Sequence, residues 1–325
     1  MDKGGACGAV AERRRSRGSD LAQVMKAGVA GAGVFGGYHA QQYAAMEGVA
    51  LAAVFDPDGA RAAALAQRLG AQAVTRFEDL LALSDVVSVA SPAVTHAELG
   101  LAALRAGKPT YVEKPIATSL EDADRLLAAA AETGVVLAVG HVERVVFQAM
   151  GLLDVPEPPR FMESVRKGPW SPRGSDVSCV LDLMIHDIDL GLALNPAEPL
   201  AAEAQAQVEH GPFADAVRAE VTLADGSSMI LEASRIAETR ERRMRLVYAS
   251  GELGSDFLTG AFRNTTAFEL NPKFAETPAG RDRLAASLGA FLAAVRGEAA
   301  RPAVTGAEAV AALDLALAIE QAAEC

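Results

Sequence analysis

The sequence has few aromatic residues (5%), three cysteines, no long apolar run and fewer basic than acidic residues. Cys7, Cys179 and Cys325 are scattered and form no C-x-x-C pair, so they indicate no disulfide framework, and a reducing cytoplasm is the expected compartment. No stretch approaches the run of about 18–20 apolar residues that a membrane helix needs. The 30 Lys and Arg against 42 Asp and Glu, a net charge of −12, argue against nucleic-acid and membrane partners.

Apolar aliphatic residues are abundant instead. Half of the 325 residues are hydrophobic, which is enough for a sizeable core, and the length predicts two domains. Residues 1–24 stand apart because they carry Gly, Ser and the basic run Arg13–Arg17. They contain no apolar h-region, so they are not a secretory signal. We expect a disordered tail over residues 1–24 and a folded part that begins at Met25.

Short apolar runs alternate with helical stretches from residue 25 to residue 143. The predicted strands are Ala27–Ala30, Val49–Phe55, Val86–Ala90, Thr110–Glu113 and Val135–Val139. The predicted helices between them include Asp58–Leu69 and Ser119–Thr133. Strands that alternate with helices form parallel βαβ units. Residues 25–143 are therefore predicted to form a Rossmann-type domain with a doubly wound parallel sheet.

Residues 144–325 follow a different pattern. Val217–Leu223 and Met229–Ser234 flank Asp225-Gly226, which is a strong signal for a two-residue hairpin. Met244–Ala249 is a further predicted strand, and two helices, Arg283–Arg296 and Gly306–Ala323, close the chain. We therefore expect an α/β fold in which this second domain, residues 144–325, carries a mainly antiparallel sheet with helices.

A glycine-rich turn follows the first predicted strand. The residues Gly31, Ala32, Gly33, Val34, Phe35 and Gly36 fit G-x-G-x-x-G, a pattern that brings a pyrophosphate to the N-terminus of a helix. Asp56 ends the next strand, 20 residues after Gly36. A carboxylate there can accept hydrogen bonds from both ribose hydroxyls and repels a 2′-phosphate, so NAD is favoured over NADP. The alternative is a structural turn in an unrelated α/β protein.

Two further segments carry candidate chemistry. Glu113-Lys114-Pro115 ends a predicted parallel strand, where ligands of open α/β sheets bind; the alternative is a solvated surface lysine. Asp182, His186 and Asp189 lie at i, i+4 and i+7 of an apolar predicted helix, and therefore along one face. His186 is a candidate proton acceptor for alcohol oxidation, with Asp182 to orient its ring. A buried structural His–Asp pair is the alternative, and a metal site would need more ligands.

Two segments admit two interpretations each. Gly140–Arg144, which contains His141, follows a strand at the predicted domain junction, where it forms either an ion pair or part of the substrate site. Val165–Arg173 is predicted to be a basic loop before the helix of Asp182. Arg166 and Arg173 could bind a substrate phosphate through their guanidinium forks, or the loop could be a solvated cationic surface.

Taken together, these motifs resemble the Gfo/Idh/MocA family, the relatives of glucose–fructose oxidoreductase and inositol dehydrogenase. The segments that carry the resemblance are Gly31–Gly36, Ala90-Ser91-Pro92 with His96, Glu113-Lys114-Pro115, Gly140-His141, and Asp182 with His186. The resemblance implies an open-faced second sheet used for homo-oligomer contacts, and a cis Lys114–Pro115 bond. It also implies that Lys114, Asp182 and His186 are catalytic and that Ser91, Pro92, His96 and Glu113 lie on the cofactor side.

A narrower similarity extends to the branch that oxidises the 3-hydroxyl of UDP-N-acetylglucosamine for amino-sugar (lipid A) synthesis. Gly140–Arg144, Ser171-Pro172-Arg173 and Val180–Leu190 carry it, although Val145-Val146-Phe147 replaces the Phe-Asn-Pro of that branch. The expected function is thus NAD-dependent oxidation of a sugar or nucleotide-sugar, with Lys114, His141, Arg166, Arg173, Asp182 and His186 at the substrate. The alternatives are an inositol or free-sugar dehydrogenase and a non-catalytic dinucleotide-binding regulator.

Overall fold

The computed structural model describes residues 24–171 and 174–323 of the chain. The predicted tail, apart from Val24, lies outside the described residues. The described residues form two sheets, one of six strands and one of seven, each with helices packed on it. This arrangement confirms the predicted α/β fold with a Rossmann sheet and a second, mainly antiparallel sheet.

All strand pairs of the first sheet are parallel, in the order β3-β2-β1-β4-β5-β6. Its strands are β1 (Met25–Ala30), β2 (Val49–Phe55), β3 (Gln72–Val74), β4 (Val86–Val89), β5 (Thr110–Val112) and β6 (Leu137–Val139). The strand order reverses direction between β1 and β4. In a doubly wound sheet the carboxyl ends of the strands at this switch point form the ligand crevice.

Local signals in the sequence explain where the helices of this sheet begin and end. The helices are α1 (Val34–Ala45), α2 (Gly59–Leu69), α3 (Phe77–Leu83), α4 (His96–Arg105) and α5 (Leu120–Thr133). The Asp58 carboxylate caps α2 by accepting hydrogen bonds from the amides of Ala60 and Arg61, and Ser119 caps α5 by accepting one from the amide of Asp122. Such caps satisfy amide groups that a helix leaves unpaired at its start.

The second sheet has the order β13-β12-β11-β7-β10-β9-β8, and only the β7–β10 pair is parallel. Its strands are β7 (Phe161–Lys167), β8 (Pro199–Gln207), β9 (Ala216–Leu223), β10 (Ser228–Ser234), β11 (Glu241–Tyr248), β12 (Gly251–Asp256) and β13 (Phe262–Asn264). The hairpin around Asp225-Gly226 is confirmed, because β9 and β10 pair antiparallel there. Its loop has three residues, 224–226, rather than the predicted two, since the amide of Leu223 donates to the carbonyl oxygen of Ser227. Gly226 has a φ of +81°, a conformation that a side chain disfavours.

The prediction of a basic loop from Val165 is wrong. The chain remains in the central strand β7 through Lys167, with β10 on one side and β11 on the other. The basic residues of this stretch suggested a solvated loop. A buried arginine in a strand requires carboxylate partners, and these come from distant parts of the chain that the local sequence does not reveal.

The remaining helices lie in the second half of the chain, from residue 144 onwards. They are α6 (Arg144–Met150), α7 (Ile185–Leu194), α8 (Pro278–Arg281), α9 (Arg283–Val295) and α10 (Gly306–Ala323), and a π-helical turn (Val180–Met184) precedes α7. Leu288, Phe291 and Leu292 of α9 pack into the core beside β1 and α1. The domain division at residues 143 and 144 stays a prediction, and α9 returns to the first sheet. Across the described ranges, no helix is long and apolar enough to cross a membrane.

Candidate active site

A cleft of about 880 Å³ lies at the carboxyl ends of the first sheet. Of the predicted site residues, those that line it are Gly31, Gly33, Val34, Phe35, Asp56, Ser91, Pro92, His96, Glu113, Lys114 and Asp182. Asp182 comes from the second half of the chain, so the cleft lies between the two sheets. Gly36, His141, Arg166 and His186 are not among its lining residues.

The glycine-rich turn has the geometry that a dinucleotide requires. A Cβ atom on Gly31 would lie 2.5 Å from the carbonyl oxygen of Ala90, and one on Gly36 would lie 1.8 Å from that of Gly31, whereas one on Gly33 would meet nothing within 4 Å. Gly31 and Gly36 therefore permit close packing, and Gly33 leaves the space in front of α1 open. Gly33 is the N-cap of α1 and supplies no side-chain hydrogen bond. An uncapped helix N-terminus facing a cleft fits a pyrophosphate.

Asp56 is held in position at the end of β2. Its Oδ2 accepts a hydrogen bond of 2.9 Å from the amide of Ala32, and its Oδ1 accepts one of 2.9 Å from the amide of Asp58. Each carboxylate oxygen has a second lone pair, which can accept a ribose hydroxyl. Asp56 and the glycine-rich turn thus fit the adenosine half of NAD.

His96 contacts the backbone of two loops that line the cleft. Its Nδ1 lies 2.7 Å from the carbonyl oxygen of Pro115 and its Nε2 lies 2.9 Å from that of Ser91. The ring is buried, and the Lys114–Pro115 peptide bond beside it is cis. His96 therefore positions the segment that carries Lys114.

The side chain of Glu113, which lines the cleft, pairs with a buried histidine of the first domain. Its Oε1 lies 2.9 Å from Nε2 of the fully buried His39, and a Cβ on Gly140 would lie 2.7 Å from the same oxygen. Burial raises the pKa of Glu113, but the hydrogen bond from His39 and the charge of Lys114 outweigh it, so the net pKa lies below its usual value. Sequence analysis did not identify His39. Its partner Glu113 is 74 positions away, and no local pattern in the apolar helix indicates that contact.

Lys114 and Asp182 form an ion pair between the two halves of the chain. The Nζ atom of Lys114 lies 2.8 Å from Oδ1 of Asp182 and 2.6 Å from its carbonyl oxygen. Gly174 lies against the same carboxylate, since a Cβ there would be 2.5 Å from Oδ2. The Lys114 side chain is 10% exposed and that of Asp182 is 25% exposed. Both charged groups are therefore accessible from the cleft while they remain paired.

The expected pairing of Asp182 with His186 is not found. Asp182 lies in the π-helical turn and His186 in the first turn of α7, so the i, i+4 register of a regular α-helix does not apply. Nδ1 of His186 is buried without a hydrogen-bond partner among the described residues. Asp189 lies three residues after His186 in α7 and shares a face with it, but its carboxylate pairs with Arg144 at 2.6 Å rather than with the imidazole.

His186 contacts His141 instead. The two rings meet edge to face with centroids 6.0 Å apart, and both nitrogens of the buried His141 lack a partner in the part of the chain that the structure describes. Burial first, and then the charge of Lys114, lowers the pKa of His186 well below its usual value, and burial also lowers that of His141. Both rings are therefore neutral at pH 7, the form in which an imidazole accepts a proton.

Arg166 does not lie in the cleft. Its Nε and Nη2 each donate a 2.8 Å hydrogen bond to Asp187, and its Nη1 lies 3.3 Å from Glu143. The side chain is 4% exposed, so the expectation of a phosphate-binding Arg166 is corrected to a buried structural ion pair. Arg173, its predicted companion, lies outside the described residues. Within the described ranges, no group of three or more His, Cys, Asp or Glu residues could hold a metal ion.

Comparisons with known proteins agree with this geometry. A family model described as an oxidoreductase family with an NAD-binding Rossmann fold matches residues 25–141. UDP-N-acetylglucosamine 3-dehydrogenase of Acidithiobacillus ferrooxidans is 39% identical over 72% of this chain and 74% of its own length. A solved structure of that enzyme from the same organism has a TM-score of 0.83 at 36% identity, and the match covers 92% of this chain and 98% of that one.

More distant relatives share part of the sequence or only the fold. Inositol 2-dehydrogenase of Rubrobacter xylanophilus is 36% identical over 50% of both chains. The WlbA dehydrogenase of Bordetella pertussis, solved with NADH and UDP-GlcNAcA, has a TM-score of 0.82 at 18% identity, and the match covers 93% of this chain and 96% of that one. At that identity the likeness establishes the fold alone.

Proposed function

Because the chain belongs to the Gfo/Idh/MocA family of NAD-binding oxidoreductases, we propose that it oxidises the 3-hydroxyl of UDP-N-acetylglucosamine to a ketone. The observation that carries this proposal is the ion pair of Lys114 and Asp182, which joins the two halves of the chain at the cofactor cleft. Support for the substrate comes from the 39% identity to an enzyme named for that reaction.

The cofactor is NAD, and the residues of the first domain that fit it have distinct tasks. Gly31, Gly33 and Gly36 shape the turn, the amides at the start of α1 would bind the pyrophosphate, and Asp56 would accept hydrogen bonds from the ribose hydroxyls. When it is bound, NAD supplies the hydride acceptor for the oxidation. Ser91, Pro92 and Glu113 line the same cleft as Asp56 and Lys114. The hydrogen bonds of His96 hold this part of the cleft wall in place.

Two side chains act on the proton and the oxygen of the substrate, and two others hold them in place. Neutral His186 accepts the proton of the hydroxyl group, since general base catalysis needs an unprotonated acceptor. Lys114 donates a hydrogen bond to the same oxygen and stabilises the negative charge that develops there. Asp182 holds Lys114 at the cleft, and His141 packs against His186.

The biological setting of the reaction is part of the same proposal. The product, a 3-keto nucleotide-sugar, would be aminated for amino-sugar synthesis towards lipid A. The chain would work in the cytoplasm as a homo-oligomer, with contacts through its second sheet. We propose neither a nucleic-acid nor a membrane partner.

An inositol or free-sugar dehydrogenase is the second candidate. It is favoured by the 36% identity to an inositol 2-dehydrogenase and by Val145-Val146-Phe147, which differs from the Phe-Asn-Pro expected for the nucleotide-sugar branch. A non-catalytic regulator has less support, because a dinucleotide sensor has no need of the Lys114–Asp182 ion pair at the cleft.

The experiment that separates these functions is a substrate panel. NAD reduction is measured with UDP-N-acetylglucosamine, UDP-glucose, free N-acetylglucosamine, myo-inositol and scyllo-inositol at equal concentrations. The proposal expects kcat/KM for UDP-N-acetylglucosamine to exceed that of every other compound by at least about tenfold. Preference for an inositol would select the second candidate, and NAD binding without turnover of any compound would select the regulator.

A further inference from the structure

Three arginines surround the buried carboxylate of Glu143. Nη1 of Arg166 lies 3.3 Å and Nη1 of Arg242 lies 3.4 Å from Oε1, and Nη1 of Arg283 lies 2.5 Å from Oε2. Asp187 accepts the two remaining strong hydrogen bonds of Arg166. We call these five residues the arginine cluster. Its members come from α9, β7, β11, the start of α7 and the turn before α6.

The arginine cluster carries more positive than negative charge. It contains three guanidinium groups and two carboxylates. Arg166 and Arg242 are directly opposite each other on the antiparallel strands β7 and β11, a placement of like charges that destabilises a sheet unless it is compensated. Burial and the charge of Arg166 lower the pKa of Arg242 below its usual value. Because three arginines share the carboxylate of Glu143, the arginine cluster keeps a net positive charge that one further anion can neutralise.

An anion from solvent can approach only some members of the arginine cluster. The side chain of Arg166 is 4% exposed, whereas those of Arg242 and Arg283 are 37% and 22% exposed. Arg242 and Arg283 are therefore the members that solvent and ligands can approach. Their pairing with Glu143 is also incomplete, since each uses one Nη1 contact of a five-donor guanidinium group.

The arginine cluster is connected to the predicted proton acceptor through Asp187, although none of its members is among the residues that line the cleft. Asp187, which binds Arg166, is the neighbour of His186 in the chain. After burial and the charge of Lys114, the positive charges of Arg166 and Arg242 also lower the pKa of His186. A substrate whose sugar reacts next to His186 can therefore bring an attached anionic group to Arg242 and Arg283.

We propose that Arg242 and Arg283 bind the diphosphate group of the nucleotide-sugar substrate, a proposal that rests on the proposed function. Guanidinium groups form charge-assisted, often bidentate hydrogen bonds with phosphate oxygens. Glu143 holds the two side chains in place before the substrate binds, and the diphosphate supplies the missing anion. Neutral polyols lack such a group, so Arg242 and Arg283 are the residues that select a nucleotide-sugar over an inositol.

Alanine variants of these arginines test the proposal, with UDP as the probe because it lacks the reacting sugar. We expect Arg242→Ala and Arg283→Ala to weaken UDP binding to the NAD-loaded enzyme by about tenfold to hundredfold in calorimetry. KM for UDP-N-acetylglucosamine should rise by a similar factor while kcat changes less than about threefold, because this contact is remote from the reacting bond. The affinity for NAD should not change.

The matched control is Arg243→Ala. Arg243 follows Arg242 on β11, is half exposed and pairs with Glu241, and alternation along a strand turns it to the other face of the sheet. UDP affinity should equal that of the wild type in this variant. Where an alanine variant fails to fold, Arg242→Gln and Arg283→Gln replace it under the same criteria.

The outcomes separate this proposal from the proposed function. A wild-type enzyme that oxidises UDP-N-acetylglucosamine, with arginine variants that bind UDP as tightly as the wild type does, overturns the proposal and leaves the function intact. A wild-type enzyme that binds no UDP and oxidises a neutral polyol overturns both. Loss of UDP affinity in Arg242→Ala and Arg283→Ala but not in Arg243→Ala supports the proposal.

Discussion

The Nζ atom of Lys114 lies 2.8 Å from Oδ1 of Asp182, a residue 68 positions further along the chain. Lys114 follows β5 of the first sheet, and Asp182 lies in the π-helical turn of the second half. The ammonium group thus reaches the cleft from one half of the molecule and is oriented by the other. This contact, rather than an Asp182–His186 pair, organises the candidate active site.

Lys114 and His186 should act as a unit. We expect Lys114→Met and His186→Ala each to lower kcat by roughly 10²–10⁴, since one loses stabilisation of the oxygen and the other loses the proton acceptor. The double variant should lose less than the product of the two effects, as cooperating groups do. Rapid-quench measurement of the chemical step, with NAD affinity as the control, checks this. Near-wild-type chemistry in His186→Ala would leave Lys114 as the proton acceptor.

The pH profile of oxidation should reflect the lowered pKa of His186. Burial and the charge of Lys114 disfavour the imidazolium form, so the ring stays neutral at pH values where an ordinary histidine, with a pKa of about 6.5, is half protonated. The acid limb of kcat should therefore lie below pH 6.5, with activity lost only as the pH falls further. An acid limb at pH 7 or above, measured in constant-ionic-strength buffers, would contradict the assignment.

Asp56 should set the cofactor preference. We expect the wild type to bind NADH at least tenfold more tightly than NADPH, about 1.4 kcal/mol, because the carboxylate repels a 2′-phosphate. Asp56→Ser should shift the preference towards NADPH, since Arg61 lines the same cleft and would then face the phosphate. Fluorescence titration checks both values, with Glu98→Gln, an exposed carboxylate in the same cleft, as the control. Equal wild-type affinities would show that Asp56 does not contact the ribose.

Arg166 should contribute to stability rather than to substrate binding. Arg166→Ala leaves Asp187 buried without its partner, and breaking a buried ion pair from one side costs about 3–5 kcal/mol. Urea unfolding should show this loss in the free energy of unfolding, whereas Arg243→Ala should change it by less than about 0.5 kcal/mol. A stable Arg166→Ala enzyme with a raised KM would restore the original prediction that Arg166 binds the substrate phosphate.

The parts of the site that could be predicted depend on local sequence. Gly31–Gly36, Asp56 and Lys114 each follow a strand directly, and the carboxyl ends of parallel strands meet at one edge of a sheet. Their placement needs only the strand pattern, which the alternation of apolar runs and helices provides.

The parts that could not be predicted depend on distant partners. From the local sequence, Arg166 is predicted to lie in a basic loop. In the structure it lies in β7, where Glu143 and Asp187, 23 and 21 residues away, neutralise its charge. Asp182 and His186 share an α-helical face in the sequence pattern, but the π-helical turn removes the register that the pattern assumes. The core position of Phe291 in α9 likewise follows from packing against the first sheet, not from any signal in the helix itself.

The most direct test of the central claim follows the hydrogen at C3 of the sugar. UDP-N-acetylglucosamine with deuterium at C3 is incubated with the enzyme and NAD, and the reduced cofactor is analysed by mass spectrometry. Oxidation at the 3-hydroxyl predicts that the reduced cofactor carries the deuterium and that the nucleotide-sugar product is a ketone without it. Reduced cofactor without deuterium, or no reduction with this substrate while an inositol is oxidised, would contradict the account.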